Sequence, residues 1–117
     1  MNRNQMKWLD HAFGLWMRRN FRACGMCGGP LDDTAQVSHI YGRANLSVRW
    51  DPRNCDLVHD RCHREWERYD RSQRNEHIVR KLGRDGAMAL SLDSTKAKKW
   101  TAAELAALAA LIYKYSL

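Results

Sequence analysis

Apolar residues at three- and four-residue steps predict a helix near the N-terminus, over residues 3–19. The pair Arg18–Arg19 falls in its last turn, where positive charge interacts favourably with the helix dipole. We expect the apolar stripe to pack in the core, so this helix receives no functional role. The stripe consists of Met6, Leu9, Phe13, Trp16 and Met17.

Two short strands are predicted in the middle of the chain. Residues 36–41 have the β-branched and aromatic content that favours a strand, and residues 55–58 fit a second one. The segment between them, residues 42–53, is predicted to be a loop and contains three arginines. A glycine-rich run at residues 24–30 permits the positive φ angles of a tight metal-binding turn.

The rest of the chain favours helices. One helix is predicted to begin near Asp60 and to run into residues 68–75 before a break. Residues 76–92 are ambiguous between helix and extended chain, because Gly83 and Gly86 interrupt a helical pattern. A capping-box sequence at residues 101–104 then predicts a last helix. Its apolar positions are Leu105, Leu108, Leu111, Ile112 and Tyr115.

Together these elements predict a single α+β domain over residues 1–117. A small ββα core would occupy residues 23–70. An N-terminal helix at residues 1–22 and a C-terminal helical region at residues 71–117 would flank this core.

The charge of the chain favours a polyanionic partner. Its 117 residues carry a formal net charge of +7 and give a pI near 9.6, although a merely solvated basic surface would look the same. No apolar run approaches the roughly 20 residues that span a bilayer, and no secretory signal pattern is visible. We therefore expect a cytoplasmic protein with no membrane partner.

Two pairs of residues have the spacing of a structural zinc site. Cys24 and Cys27 form one C-x2-C pair, and His59 and Cys62 form a second pair with the same spacing. This interleaving favours a metal site in a reducing compartment over two disulfides. Two alternatives stay open: the first pair binds metal alone or not at all, or Cys55 replaces His59 as a ligand.

A second set of residues lies between and beside these ligands. His39 is on the first predicted strand, Asn54 precedes the second, and His63 directly follows Cys62. The pattern over residues 24–63 resembles the HNH (ββα-metal) endonuclease family. It is most similar to the NinG-type recombination nucleases of lambda-like phages, through His39-Ile-Tyr-Gly-Arg43 and Arg49-Trp-Asp-Pro-Arg-Asn54.

The resemblance implies a metal-dependent DNA endonuclease that is encoded by a phage or prophage and acts on branched or recombination-intermediate DNA in a bacterial host. His39 would be the general base, since a neutral imidazole can deprotonate water near pH 7. His63 would hold a catalytic divalent ion such as Mg2+ or Mn2+, which stabilises charge on the phosphate. Asn54 would either orient the loop or join the metal shell.

The match departs from the family at Ser38, where many members have an Asp or His metal ligand. The catalytic ion would then rely on His63, Asn54, water and the phosphate of the substrate, and Asp51, Asp56 or Asp60 could compensate for the missing ligand. Phosphate contacts are expected from four arginines, because guanidinium groups match phosphate geometry. They are Arg43, Arg49, Arg53 and Arg64.

Several plainer interpretations compete with the nuclease. His39 could be a core histidine bonded to a backbone carbonyl, His63 a surface residue of a helix, and Asn54 a turn residue. The protein would then be a non-catalytic zinc module that binds nucleic acid, or a zinc-containing domain that docks other proteins through its last helix. The leucines of that helix could form a homodimer interface or cover the core of a monomer.

Overall fold

Four helices and a two-stranded antiparallel sheet form the described part of the chain, residues 3–114, in a computed structural model of the protein. The α+β class predicted from the sequence is confirmed. The helices are α1 (Arg3–Asn20), α2 (Asp60–Arg68), α3 (Arg71–Ser94) and α4 (Ala102–Lys114), and the strands are β1 (Gln36–His39) and β2 (Cys55–Val58), with a 3-10 turn at Pro52–Asn54.

The hairpin of β1 and β2 has two distinct ends. Gln36 pairs with Val58 at one end, which we call the knuckle end because His59 follows it directly. His39 pairs with Cys55 at the other end, which we call the loop end because residues 40–54 connect the strands there. Side chains at the knuckle end therefore lie near the predicted metal ligands, and side chains at the loop end lie near the arginine-containing loop.

The two faces of the hairpin pack against different helices. Val37 and Leu57 belong to the main core, to which α1 contributes more buried side chains than any other element and α4 adds Leu105 and Ile112. Because side chains alternate along a strand, Ser38 and Asp56 point to the opposite face, where α3 lies. A second apolar cluster on that side contains Ile40, Val48, Trp66, Ile78 and Leu90.

β1 is shorter than predicted and ends at His39 rather than at residue 41. The N–H of Ile40 still donates to the carbonyl of Asn54, but the N–H of Tyr41 donates to the side-chain oxygen of Asn54 instead of to a strand partner. The ladder of backbone hydrogen bonds between β1 and β2 stops here because the side chain of Asn54, and not a backbone carbonyl, accepts from the N–H of Tyr41.

The predicted break after α2 lies at Tyr69 and Asp70. Asp70 caps α3 by accepting from the N–H of Gln73, whose side chain accepts in return from the N–H of Asp70. Residues 76–92 are helical, with one interruption at Gly83, where φ is +75°. Glycine adopts this angle without the steric penalty of a Cβ, so the chain changes direction there and resumes as helix.

α1, β2 and α4 lie where the sequence predicts them. The capping box before α4 is present, since Thr101 and Glu104 exchange side-chain to backbone hydrogen bonds of 3.0 and 3.1 Å. Tyr115, the last residue of the predicted apolar stripe of this helix, lies outside the described residues. Within residues 3–114, no helix is both long and apolar enough to cross a membrane.

Candidate metal centre and hairpin loop

The first cysteine pair lies in a tight turn between α1 and β1. The N–H of Cys24 donates to the carbonyl of Gly29 at 2.8 Å, and the N–H of Gly28 donates to the carbonyl of Cys24 at 2.9 Å. Gly28 has a φ of +76°, which only glycine adopts readily. The turn therefore brings the two cysteine side chains to the same side of the backbone.

Backbone amides point at the sulfur atoms of this turn. The N–H groups of Met26 and Cys27 approach Cys24 Sγ at 3.4 and 3.5 Å, and that of Gly29 approaches Cys27 Sγ at 3.5 Å. The hydrogen bond from Gly29 lowers the pKa of the Cys27 thiol to about 6. The knuckle thus favours the thiolate, which is the form that binds metal.

His59 presents its Nδ1 atom to the cysteines. Nδ1 lies 3.4 Å from Cys27 Sγ and 3.8 Å from Cys62 Sγ, while Nε2 lies 2.6 Å from the carbonyl oxygen of Pro30. Since a carbonyl can only accept, Nε2 must carry the proton and Nδ1 is left with a free lone pair. A backbone partner of this kind orients histidines that bind metals.

The donor set fits a structural metal ion. The ligand atoms of Cys24, Cys27, His59 and Cys62 lie within 4.8 Å of one another. A tetrahedral zinc with bonds of about 2.0–2.3 Å places its ligands roughly 3.3–3.8 Å apart. Burial and the neighbouring Cys24 raise the pKa of Cys62 to about 11, a shift that a divalent cation at this position would reverse. The group could hold a metal and is consistent with zinc.

Cys55 is not one of the ligands. It is fully buried in the core on the α1 side of the hairpin, and its Sγ atom lies 3.7 Å from the carbonyl of Arg49. Arg61, which the sequence did not single out, lies near the sulfur atoms of Cys27 and Cys62, and their proximity raises the pKa of its guanidinium. Because three thiolates around Zn2+ leave one net negative charge, this guanidinium offsets the charge of the site.

At the loop end, Asn54 binds the loop backbone with its whole side chain. Its Oδ1 atom accepts from the N–H of Tyr41 at 2.8 Å, and its Nδ2 atom donates to the carbonyls of Tyr41 and Val48 at 3.0 and 3.1 Å. The residue is completely buried. Of the two roles predicted for Asn54, orienting the loop or binding the catalytic metal, these contacts correspond to the first. The amide oxygen binds the backbone of Tyr41 and is not directed at a metal.

His39 is half-buried at the loop end. Its Nε2 atom donates to the carbonyl of Arg49 at 2.9 Å, which leaves Nδ1 as the acceptor. Burial lowers the pKa of His39, and the positive charge of Arg43 adds to this effect, so the ring is neutral at pH 7. The tautomer and the protonation state are therefore both defined by the surroundings.

The ion-pair partner that the structure gives His63 lies on the same helix as His63 itself. His39 shares the α1 side of the hairpin with Val37, whereas Gln36, on the other side, donates to Asp60 in α2. His63 follows on α2, where its Nδ1 atom lies 3.8 Å from Glu67 Oε1. Within residues 3–114, no hydrogen bond or ion pair joins the two histidines.

The three carboxylates that could compensate for the missing acid at Ser38 all bind other side chains of the protein. Ser38 is 4% exposed and lies opposite Asp56, which accepts from His77 at 2.9 Å and from Lys81 at 2.7 Å. Asp51 binds Arg53, and Asp60 binds Arg64. In the described part of the chain, the Cys3His group is the only set of three or more His, Cys, Asp or Glu side chains placed to hold an ion.

All four arginines predicted to bind phosphate form ion pairs within the protein. Arg43 and Arg49 both bind Asp10 on α1, at 3.0 and 2.6 Å, and Arg49 is only 12% exposed. Arg53 bridges Asp51 and Asp93 at 2.6 and 2.8 Å. Arg43 and Arg64 keep about two thirds of their side chains exposed, at 63% and 66%. These two alone retain a surface that a phosphate can reach easily.

Asp10 is the most important residue that sequence reasoning missed. Besides the two arginines, it accepts from Trp50 Nε1 at 2.9 Å, so Trp50 anchors the loop instead of presenting its ring to solvent. Burial opposes ionisation of Asp10, but hydrogen bonds from Arg49 and Trp50 outweigh it and hold the pKa of this carboxyl below its usual value. The available signal was a carboxylate within the apolar stripe of α1, between Leu9 and Phe13.

The cluster of Asp56, His77 and Lys81 was also missed. Asp56 lies on a strand whose four residues are all buried, and its two partners are one turn apart on α3. Burial raises the pKa of Asp56, but the hydrogen bond from His77 and the charge of Lys81 more than compensate, so the net shift is downward. The i, i+4 spacing of two basic side chains beside the buried Ile78 was the only local hint.

Comparisons of this chain with protein-family models, curated proteins and solved structures give no match.

Proposed function

We propose that this protein is a DNA endonuclease of the ββα-metal type, built around a structural zinc. The observation that supports this most is the state of His39, a neutral histidine with one nitrogen bonded to Arg49 and the other free to accept a proton. It lies on a strand–loop–strand–helix segment that Cys24, Cys27, His59 and Cys62 tie together at the opposite end. The resemblance to HNH nucleases supplies the reaction.

In the proposed reaction, His39 is the general base. Its Nδ1 atom removes a proton from water as the oxygen attacks phosphorus, and the leaving sugar oxygen takes a proton from solvent as its bond to phosphorus breaks. The imidazolium that forms is stabilised by the carbonyl of Arg49 and by the nearby charge of Asp10. Exposed Arg43 and Arg64 would contact the flanking phosphates of the strand.

The family resemblance also implies a divalent ion at His63. The described side chains do not form a complete site for it, since Glu67 is the carboxylate paired with His63 and no third ligand joins them. Mg2+ is commonly held by one or two carboxylates together with water and substrate phosphates. Within the proposal, such an ion would arrive with the DNA, and the steps assigned above use only residues of the chain.

The test is cleavage of supercoiled plasmid and of a four-way junction, with Mg2+ or Mn2+ and with EDTA. We expect His39→Ala to reduce the rate by about 10²–10⁴-fold, the usual contribution of a general base. His11→Ala is the matched control, because His11 is exposed on α1 and should leave the rate unchanged. Cleavage that survives His39→Ala, in protein that keeps its zinc, would contradict the mechanism.

The pH profile gives an independent readout of His39. Because burial lowers its pKa, the base form persists below the ordinary titration range of histidine, which is centred near pH 6.5. Cleavage should therefore stay on a plateau through pH 7 and fall only on the acid side of that range. A profile that first rises above pH 7 would exclude His39 as the base.

A second candidate is a non-catalytic zinc module that binds nucleic acid. The buried Ser38 and the lack of a second ion site among residues 3–114 favour it. DNA binding without cleavage, under every metal tested, would select this candidate over the nuclease.

The remaining parts of the proposal rest on the resemblance and, for the location, also on the sequence. They are a branched or recombination-intermediate DNA substrate, a phage or prophage origin and a cytoplasmic location in the host. A homodimer would place two sites on one junction, and α4 offers Leu111, which is 52% exposed, as part of an interface. Sedimentation of the protein alone and with a junction tests this state.

A further inference from the structure

A cleft opens beside the loop end of the hairpin, where the loop meets α2 and α3. It has a volume of about 340 Å³, at the small end of the range for ligand sites. Its polar and aromatic lining consists of Tyr41, Trp66, Tyr69, Arg71, Arg74 and Asn75. Neither the zinc nor the general base uses any of these side chains.

The two arginines of the cleft differ from the four arginines discussed above. Within residues 3–114, neither Arg71 nor Arg74 forms an ion pair with a carboxylate. Arg74 lies over the ring of Trp66 at 5.0 Å, and its Nη2 atom donates to the carbonyl of Trp66 at 3.2 Å. Its Nε atom is buried and has no acceptor. The cleft thus concentrates positive charge whose hydrogen-bonding capacity is only partly used.

Two tyrosines place aromatic surface next to this charge. Tyr69 packs against Trp66 with ring centroids 5.8 Å apart, and it stays partly exposed in the short connection between α2 and α3. Tyr41 is also partly exposed, and Asn54 holds its backbone in place. Because Tyr41 is only two residues beyond His39, the cleft adjoins the strand end that carries the proposed base.

We propose that this cleft binds one unpaired nucleotide of a DNA strand. Arg71 and Arg74 would contact its phosphate, and Tyr41 or Tyr69 would stack on its base. Guanidinium groups match phosphate oxygens, and stacking on aromatic rings is how proteins hold unpaired bases regardless of sequence. The small volume suits a single nucleotide and not the width of a duplex. The choice of DNA rests on the proposed function.

The binding test is fluorescence anisotropy with a labelled single strand of roughly 12 nucleotides and with the matching duplex. The double variant Arg71→Ala/Arg74→Ala should weaken single-strand binding by about 10-fold or more, since it removes charged hydrogen bonds to phosphate. The matched control is Arg80→Ala/Arg84→Ala. It removes the same charge from the same helix outside the cleft, and it should change affinity by less than about 2-fold.

The salt dependence separates phosphate binding from a general loss of structure. Each arginine–phosphate interaction that is removed lowers the slope of log affinity against log salt by about 0.7 on a single strand, so the slope of the cleft variant should be smaller by roughly 1.4. A slope equal to that of wild type, or equal reductions in both double variants, would overturn the proposal. Tighter binding of the duplex than of the single strand would overturn it as well.

Stacking is tested at Tyr69 by two substitutions. Tyr69→Phe keeps the ring and should bind normally, whereas Tyr69→Leu should bind more weakly while retaining zinc and a cooperative melt. Equal affinity of the two variants would remove Tyr69 from the proposal and leave Tyr41→Leu to decide whether any ring is used. If neither leucine variant weakens binding, stacking is excluded.

The outcome does not depend on cleavage. If the protein cuts no DNA, but single-strand binding still requires Arg71 and Arg74, the proposed nuclease fails and the cleft stands. If His39→Ala abolishes cleavage but the cleft variant binds single strands like wild type, the proposed nuclease stands and the proposed cleft fails.

Discussion

The two ends of the hairpin are held by different chemistry. At the knuckle end, the ligand atoms of one cysteine–cysteine pair and one histidine–cysteine pair lie within 4.8 Å of one another, in an arrangement consistent with one zinc ion. At the loop end, the amide of Asn54 and the carboxylate of Asp10 together make seven hydrogen bonds to the backbone of the loop, its arginines and Trp50. A single cation would hold one end, whereas many weak contacts hold the other.

This difference shows how a small domain can combine a stabilising metal site with a loop whose conformation is set by hydrogen bonds. Metal binding concentrates a large free energy in a few atoms, so losing any ligand affects the whole site. Hydrogen bonds contribute about 0.5–1.5 kcal/mol each, so the loop end should lose stability gradually. The predictions below test this contrast, beginning with the largest expected effect.

Removal of the metal should have the largest effect. Apparent binding energies of structural zinc reach about 10–16 kcal/mol, which exceeds the stability of most domains of this size. Chelation, or Cys62→Ala, should therefore abolish the cooperative thermal transition seen by circular dichroism. Cys55→Ala is the control, because Cys55 is buried without being a ligand, and it should keep a full complement of zinc. A cooperative melt in zinc-free Cys62→Ala would refute the assignment.

Loss of the Asn54 side chain should have an intermediate effect. Asn54→Ala removes three hydrogen bonds at a completely buried position, and we expect it to lower the free energy of unfolding by about 2–4 kcal/mol. Zinc content should not change, while the amide of Tyr41 should exchange faster with solvent. Asn45→Ala, which removes one exposed bond in the same loop, should cost less than about 1 kcal/mol. Equal losses in the two variants would remove the special role of Asn54.

Neutralising Asp10 should have the smallest effect of the three. Asp10→Asn keeps an acceptor for Trp50 but weakens the bonds to Arg43 and Arg49, for an expected loss of about 1.5–3 kcal/mol in urea unfolding. Glu76→Gln disrupts an exposed pair with Arg80 and should cost less than about 1 kcal/mol.

The same substitution predicts a change in acid stability. Burial raises the pKa of Asp10, but its hydrogen bonds lower the pKa further, to a value below the ordinary 3.8. Its contribution is therefore complete above the ordinary pKa and is lost as pH falls through the lowered one. Asp10→Asn has no such titration, so its stability should fall less steeply in acid than that of wild type. Parallel acid limbs for the two proteins would contradict this linkage.

The two ends of the hairpin also differ in how much of each could be predicted from the sequence: more at the knuckle end than at the loop end. The four candidate metal ligands come in close pairs, so their spacing alone singles them out, and the apolar periodicity of α1 locates that helix. The start of α3 also carries a local signal, because Asp70 and Gln73 have the spacing of a capping box. The continuation of α3 past Gly83 has no such local signal. That part of the helix is held by packing of Leu90 with Trp66 and Ile78, which no local pattern reveals.

The partners of the loop arginines could not be predicted from their surroundings. Asp10 lies 39 residues before Arg49, and Asp93 lies 40 residues after Arg53. An arginine-rich loop has the same sequence whether its charges bind phosphate or distant carboxylates of the same chain. The interpretation of these residues as a phosphate surface therefore depended on contacts that only the folded structure defines.

One stretch of six residues connects every part of the molecule discussed above. Asn54 hydrogen-bonds the loop backbone, and Cys55 and Leu57 pack in the main core. Asp56 binds His77 on α3, and His59 is a candidate metal ligand. Since neighbouring residues of a strand point to opposite faces, inserting or deleting one residue here would turn every later side chain to the wrong partner. The chain therefore has no tolerance for a change of length in β2.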